Sequence, residues 1–360
     1  MIKFSTFGGS HEKIIGGKIF GLPRGFEISV DEISHELFLR KTGIGRSERQ
    51  NIETDKIHII SGLTKKSVTN GLPLKFIIEN IDSKLDEKPP ITAVRPSHAD
   101  LVGSVKYGLN NARMIAEYAG GRSTLAHTVI GNISRQILAA KKIFTYAYSV
   151  NIGGVETKTK FDFSLMAKNI GISPVFTIDK EAENKMVEKI EKAKAEGDTM
   201  GGIVETGVIG LPMGVGDFHS YSDKLDALIS AYLIAIPSVK GIEFGLGKDF
   251  ASLTGTQVCE QLNCDKGKIY YETNFNGGII GGMSNGQPLV FRLTVKPVPS
   301  TAKKTESIDL ITKQKVKSHF ERSDTCIVPN VCIIAQNMIA TTVLQSILQD
   351  KKIAKELGLL

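Results

Sequence analysis

Apolar runs of strand length come in adjacent pairs in this chain, joined by short glycine- or proline-bearing turns, and do not alternate strictly with helical segments. Alternation is the mark of a parallel, doubly wound sheet, whereas paired runs point to antiparallel strands in an α+β fold. The opening shows the pattern. IKFSTF is followed by GGKIFGLPRGFEISV, which reads as strand, turn at Leu22-Pro23-Arg24-Gly25, and strand. IHIISG and LPLKFIIEN follow as strands, and glycine-rich strand pairs recur up to Val295. A helix is predicted from 30 or 31 to about 41, with Asp31 as its cap and Ile33, Leu37 and Phe38 on one face. Leu125, Val129, Ile133 and Ile137 keep helical spacing in LAHTVIGNISRQILAAKK, and 180–197 reads as a charged amphipathic helix. Two more helices are expected at DKLDALISAYLIA and NVCIIAQNMIATTVLQSIL.

Size and charge narrow the class. A chain of 360 residues, 41% hydrophobic and 23% charged, has an ordinary globular mix and can bury a substantial core as one large domain or two. No run of eighteen apolar residues occurs, so no membrane span is expected. MIKFSTFGGSH lacks the apolar stretch of a signal peptide, which predicts a cytoplasmic protein. Cys259, Cys264, Cys326 and Cys332 match no usual zinc spacing and are too sparse for a disulfide framework. Net charge is +7, but the lysines of 185–194 alternate with glutamates as on a solvated helix face. Arg40, Arg46, Arg49, Arg95, Arg122 and Arg322 sit instead in segments bearing glycine, proline or serine. That distribution fits local sites for small anions and not a continuous nucleic-acid stripe.

Several constellations can carry chemistry. In Thr6-Phe7-Gly8-Gly9-Ser10-His11, a lone histidine, more often a satisfied structural residue, follows paired glycines at a strand end, where backbone can approach a ligand closely. Arg95-Pro96-Ser97-His98-Ala99-Asp100 lies in a polar, proline-bearing stretch at 82–103, and its His-x-Asp spacing orients an imidazole, unless the aspartate is only a turn cap. Gly120-Gly121-Arg122-Ser123-Thr124 opens a helix, where free N–H groups and an arginine make an anion cradle, although glycine before a helix is common. Five glycines within 277–286 are more than a simple hairpin needs and point to main chain packed against a flat or bulky ligand, without the G-x-G-x-x-G order of a dinucleotide fold. Lys296-Pro297-Val298-Pro299-Ser300-Thr301 and Glu321-Arg322-Ser323-Asp324 add a lysine with hydroxyls and an Arg-x-Asp pair.

In order and spacing, these segments resemble the chorismate synthase family. Its members carry T-F-G-[ED]-S-H-G, R-P-[GS]-H-A-D, G-G-R-S-S and G-G-I-x-G-G-[IM]-[ST]-[NS]-G runs, then K-P-[IT]-[PS]-[ST] and R-[HS]-D segments. Counterparts run from residue 6 to 324, with further similarity at Asp198-Thr199-Met200-Gly201-Gly202 and Ile236-Pro237-Ser238-Val239-Lys240-Gly241. The resemblance implies a single α+β domain over 1–360, antiparallel β-sheets in the core with helices packed outside, usually a homotetramer. It implies anti 1,4-elimination of phosphate from 5-enolpyruvylshikimate 3-phosphate to give chorismate, with reduced FMN (FMNH2) and no net redox change. NADPH would enter only in a bifunctional member. By position, His11 and His98 are the acids, beside phosphate and flavin respectively, and Asp324 is a carboxylate near flavin N5. FMN would meet Arg122, Ser123, Thr124, Pro237, Ser238, Gly281, Lys296, Pro297, Val298, Pro299, Ser300 and Arg322. Arg40, Arg46 and Ser10 would meet the substrate or NADPH.

The chain departs from that pattern in three places. Gly9 and Glu12 stand where the family usually has an acid and a glycine, as if exchanged. Thr124-Leu125-Ala126 replaces S-A-R, leaving Ala126, beside His127, where an arginine is expected. Asn51 replaces a commonly basic residue. These departures define the competing reading, a degenerate paralogue that binds FMN or a phosphorylated metabolite without turnover.

Overall fold

The computed structural model describes residues 2–159, 161–162, 164–166 and 171–360. Strands β1 (Lys3–Phe7), β2 (Ile14–Phe20), β3 (Ile57–Ser61) and β4 (Leu74–Glu79) form an antiparallel sheet in the order β1-β2-β4-β3. A second antiparallel sheet contains β5 (Phe144–Ile152), β6 (Val155–Glu156), β7 (Gly202–Ile209) and β8 (Val239–Phe244). Hairpins β9 (Leu262–Asp265) with β10 (Lys268–Tyr271) and β11 (Ile279–Ile280) with β12 (Met283–Ser284) precede β13 (Leu289–Val295). The last of these inserts between β7 and β8, giving the order β6-β5-β7-β13-β8. A hairpin of β14 (Glu306–Ile308) and β15 (Lys315–Lys317) follows. The antiparallel α+β expectation is met.

Among the described residues, helices include α1 (Val30–Lys41), α2 (Arg49–Ile52), α3 (Asp100–Tyr107), α4 (Arg113–Ala119), α5 (Thr124–Ala139), α6 (Lys180–Ala195), α7 (Leu225–Ile234), α8 (Val328–Gln349) and α9 (Lys351–Glu356). Their layering refines the expected picture of helices packed outside. Helix α8 lies against β5 and β7, α5 lies against α8, and α5 also touches β1 and β2. Two helices are therefore sandwiched between the two sheets. The reason is compositional: α8 has no charged residue in 22, and a helix apolar on all sides has to be covered on all sides. Ile333, Ile339, Val343, Leu344 and Ile347 on it are fully buried, each contributing about 1.5–3 kcal/mol. Long and apolar enough to cross a membrane, α8 is instead 94% buried within the protein over its most apolar window. Contact with α5 is close because Gly131 has no side chain; a Cβ there would lie 2.3 Å from the Asn337 carbonyl oxygen. The charged helix α6, by contrast, buries one stripe (Ala182, Met186, Ile190, Ala193) and leaves its lysines outside.

Two local expectations are corrected. Ser29, not Asp31, caps α1, its hydroxyl accepting the Glu32 N–H at 3.1 Å while Asp31 joins the first turn. The second strand expected after the Leu22–Gly25 turn is not formed; Phe26 and Gly25 instead donate N–H bonds to Thr69, and Glu27 makes an isolated bridge to Val68.

Candidate functional site

Loops from many parts of the chain converge on one cavity of about 250 Å³. They come from the β1–β2 connection, the segment after α1, the 95–100 turn, the start of α5, the residues before β8 and after β13, and the approach to α8. Gly8, at φ +97°, turns the chain out of β1; a Cβ would lie 2.3 Å from the Ile14 carbonyl oxygen. That turn carries Ser10 and His11 to the cavity wall.

Both predicted acid histidines line the cavity, and each hands its Nδ1 to a buried carboxylate. His98 Nδ1 is 2.6 Å from Asp100 Oδ1. Asp100, at the start of α3, also accepts from the Arg95 backbone N–H at 3.0 Å, from Arg95 Nε at 2.7 Å and from Arg95 Nη2 at 2.8 Å. Burial by itself would raise the Asp100 carboxyl, but these bonds from His98 and Arg95 outweigh it and hold the group well below the usual carboxylate range. His11 Nδ1 lies 2.8 Å from Glu117 Oε1, and its backbone N–H donates to Glu117 Oε2 at 2.8 Å.

Around the histidines stands a group of arginines. Arg40 donates to the Gly121 carbonyl at 2.7 Å and to Thr124 Oγ1 at 2.6 Å. Burial, with Arg46 nearby, pulls the Arg40 guanidinium down from its usual range to about 9. Arg46 Nη1 donates to Asp324 Oδ2 at 2.7 Å, while its Nε is buried without a hydrogen-bond partner among the described residues. Arg122 Nη2 reaches Asp55 Oδ1 at 2.7 Å and Glu53 Oε2 at 3.0 Å, both buried carboxylates. Arg49 bonds the Ser10 carbonyl and Glu53, and its Nη1 lies 3.1 Å from His11 Nε2. Arg322, partly exposed, sits 3.4 Å from Asp82 Oδ2. The remaining wall is apolar, formed by Pro237, Val298, Pro299, Ile327, Val331 and Ile334. Next to Pro237, Ser238 holds φ at +72°, a left-handed conformation that a non-glycine residue adopts under constraint from its surroundings.

Of the expected site residues, Ser10, His11, Arg40, Arg46, His98, Arg122, Thr124, Pro237, Ser238, Val298, Pro299, Ser300, Arg322 and Asp324 meet at this cavity. Others do not line it. Ser123 faces a smaller neighbouring cavity and bonds the Gly120 carbonyl at 2.9 Å. Lys296, its ammonium lowered by burial and then by Lys240, donates to the Ser97 carbonyl at 2.8 Å and so braces the His98 turn. Pro297 packs beside Gly201, and Gly281 occupies the turn between β11 and β12. Arg49 stood out in the sequence only among the anion-site arginines, with no role of its own, and Glu53, Asp55, Asp82 and Glu117 were not expected at the site. Only Asp82 had a local signal, since it opens the polar stretch at 82–103.

The departures also find their places. Glu12 folds back so that its carboxylate accepts the Gly9 N–H at 3.0 Å, and the Tyr118 hydroxyl donates to it at 2.7 Å. A carboxylate therefore still stands beside position 9. Ala126 is fully buried, and His127 turns to an edge-on contact with Phe4 at 5.8 Å, away from the central cavity. Asn51 is exposed on α2.

Comparison with known proteins fits this arrangement. The profile of the family described as chorismate synthase matches residues 2–348. The chain belongs to the chorismate synthase family. The protein named chorismate synthase from Alkaliphilus metalliredigens is 36% identical over 97% of this chain and 95% of its own length. Its counterpart from Staphylococcus epidermidis is 32% identical over 97% and 94%. A structure titled "Crystal Structure of Chorismate Synthase" superposes with a TM-score of 0.78 at 25% identity, covering 99% of this chain and 96% of that one. The protein is thus an enzyme, a lyase of the shikimate pathway in aromatic amino acid biosynthesis, acting on a phosphorylated small molecule. The family implies a flavin cofactor.

Proposed function

We propose that this cavity binds reduced FMN together with 5-enolpyruvylshikimate 3-phosphate, and that His11 and His98 are the acids of the anti 1,4-elimination. The observation that carries the reading is the pair of histidines lining one cavity, each with Nδ1 on a buried carboxylate. Reduced FMN, when bound, supplies an electron-rich ring that no side chain of this protein provides. The residues fit such a group. Arg46 Nε is a buried donor without an acceptor, Arg40 is desolvated beside it, and the wall from Pro237 to Ile334 is apolar, as a flat ring requires.

Within that reading the chain performs four tasks. Arg40, Arg46 and Arg49 attract phosphate oxygens, and closure over them strengthens the attraction by removing water. His11, at Nε2, serves the departing phosphate. His98, at Nε2, serves the flavin side of the cavity, braced by Asp100 and by Lys296 through Ser97. Asp324, tied to Arg46 and to the Ser47 N–H at 2.7 Å each, keeps a carboxylate fixed beside the ring site. The same proposal includes one functional domain over 1–360, assembly as a homotetramer, and NADPH only where the chain reduces its own flavin.

The test is anaerobic mixing of the full chain with reduced FMN and 5-enolpyruvylshikimate 3-phosphate. Chorismate forming, followed by its absorbance, is the expected result. Tight FMN binding without turnover would leave a binder in place of the enzyme and overturn the proposal.

A further inference from the structure

We propose that Glu117 is the positioning residue of His11, selecting the ring tautomer that leaves Nε2 to handle the proton. This rests on the reading of His11 as an acid of the reaction and adds a residue to it. Glu117 lies on α4, 106 positions along the chain, and is 2% exposed. Both of its carboxylate oxygens approach His11 Nδ1, at 2.8 and 3.0 Å, and Oε2 takes the His11 backbone N–H at 2.8 Å as well. The Glu117 carbonyl also accepts the Ser10 N–H at 3.1 Å. One residue therefore grips the loop at two successive backbone amides and one ring nitrogen, which fixes both the position of the ring and its rotation.

The tautomer follows from what each partner can do. An ionised carboxylate only accepts, so Nδ1 carries the proton. A guanidinium only donates, and Arg49 Nη1 stands 3.1 Å from Nε2, so Nε2 presents its lone pair. The opposite tautomer would set a lone pair against Glu117 and an N–H against Arg49, which is unfavourable at both ends. Asp82 Oδ2, 3.7 Å from both His11 Nε2 and Arg49 Nε, completes the surroundings of that nitrogen. Once an anionic ligand draws Arg49 aside, Nε2 takes a proton from solvent and the imidazolium delivers it to the departing phosphate, while Glu117 supports the charged ring through Nδ1. No atom of Glu117 touches the ligand in this scheme; it acts through His11.

Nitrogen-15 spectra of the full-length, histidine-labelled protein test this, with the His11 signals assigned by their loss in His11→Asn. The native protein is expected to show a protonated Nδ1 and an unprotonated Nε2. In Glu117→Gln the Nε2–H form should appear, with kcat lowered about 10–100-fold and KM for the phosphorylated substrate little changed. An Nε2–H tautomer in the native protein overturns the proposal, and that measurement holds even if Glu117→Gln fails to fold. A variant with an unaltered tautomer overturns it too, whatever its activity, as does an altered tautomer with undiminished kcat. Full turnover by His11→Asn removes the acid reading of His11 itself, an outcome separate from the tautomer result.

Discussion

His98 and His11 occupy opposite kinds of neighbourhood while making the same bond. Asp100 serves His98 but also closes a bidentate pair with Arg95 and takes the Arg95 backbone N–H, so it stays pinned whatever charge His98 carries. Among the described residues Glu117 has no arginine hydrogen-bond partner; His11 is the ring it serves. On the far side the contrast reverses. His11 Nε2 is covered by Arg49 and neighboured by Asp82, whereas the arginine beside His98, Arg95, stands on its Nδ1 side at 3.2 Å. One station is pinned by an arginine that shares its carboxylate, and the other depends on a single carboxylate and sits behind a cationic cover. The comparison teaches that a shared motif of ring and carboxylate can be built either to stay fixed or to respond to a ligand.

The hardest test of that contrast removes the rings. His11→Asn and His98→Asn are each expected to lower kcat by about 10²–10⁴-fold in anaerobic turnover, since each removes a positioned acid. Loss at only one of them would show that the two stations are not equivalent in the chemistry. A second test compares the carboxylates. Asp100→Asn strands the buried Arg95 charge and should cost roughly 3–5 kcal/mol in urea unfolding, whereas Glu117→Gln, with no buried cation to strand, should cost only about 1 kcal/mol. Equal costs would break the distinction between the pinned and the dedicated carboxylate.

Acid titration sharpens it further. The Asp100 carboxyl is depressed in the folded protein, so its contribution to stability is complete above the unfolded carboxylate pKa of about 4 and is lost as pH falls below that. Asp100→Asn should therefore flatten part of the decline in unfolding free energy below about pH 4. The smallest effect concerns the cationic cover. Inorganic phosphate should raise the melting temperature of the native protein, by up to about 2.7 kcal/mol of added stability at a hundred times its dissociation constant. Arg46→Ala should reduce that gain, because the buried, unpartnered Nε is lost with it.

The same contrast explains what was legible beforehand. His98 and Asp100 are two residues apart, so the backbone itself holds them in reach and the motif can be read along the chain. His11 and Glu117 are 106 apart, Arg46 and Asp324 are 278 apart, and nothing local ties either pair. Gly281, placed at the flavin by the family resemblance, sits in a hairpin turn outside the cavity lining, since glycine patterns report backbone conformation and not which face a loop presents. Arg122 shows the limit from another side. The cradle at the start of α5 was visible, but the carboxylates of Glu53 and Asp55 that occupy its guanidinium were not.

By itself the sequence determined the antiparallel α+β class, the main helices and strands, and nearly the full set of cavity arginines and histidines. These depend on short-range periodicity, turn chemistry and ordered motifs, all written within a few residues of one another. Tertiary structure alone decided that α5 and α8 run between the sheets, that Glu12 supplies a carboxylate beside Gly9, and which acid each cavity cation meets. Those outcomes depend on how the uncharged α8 is covered and on charges brought together from distant segments. Burial settles them, because a desolvated charge takes whichever opposite partner the packed core leaves within reach.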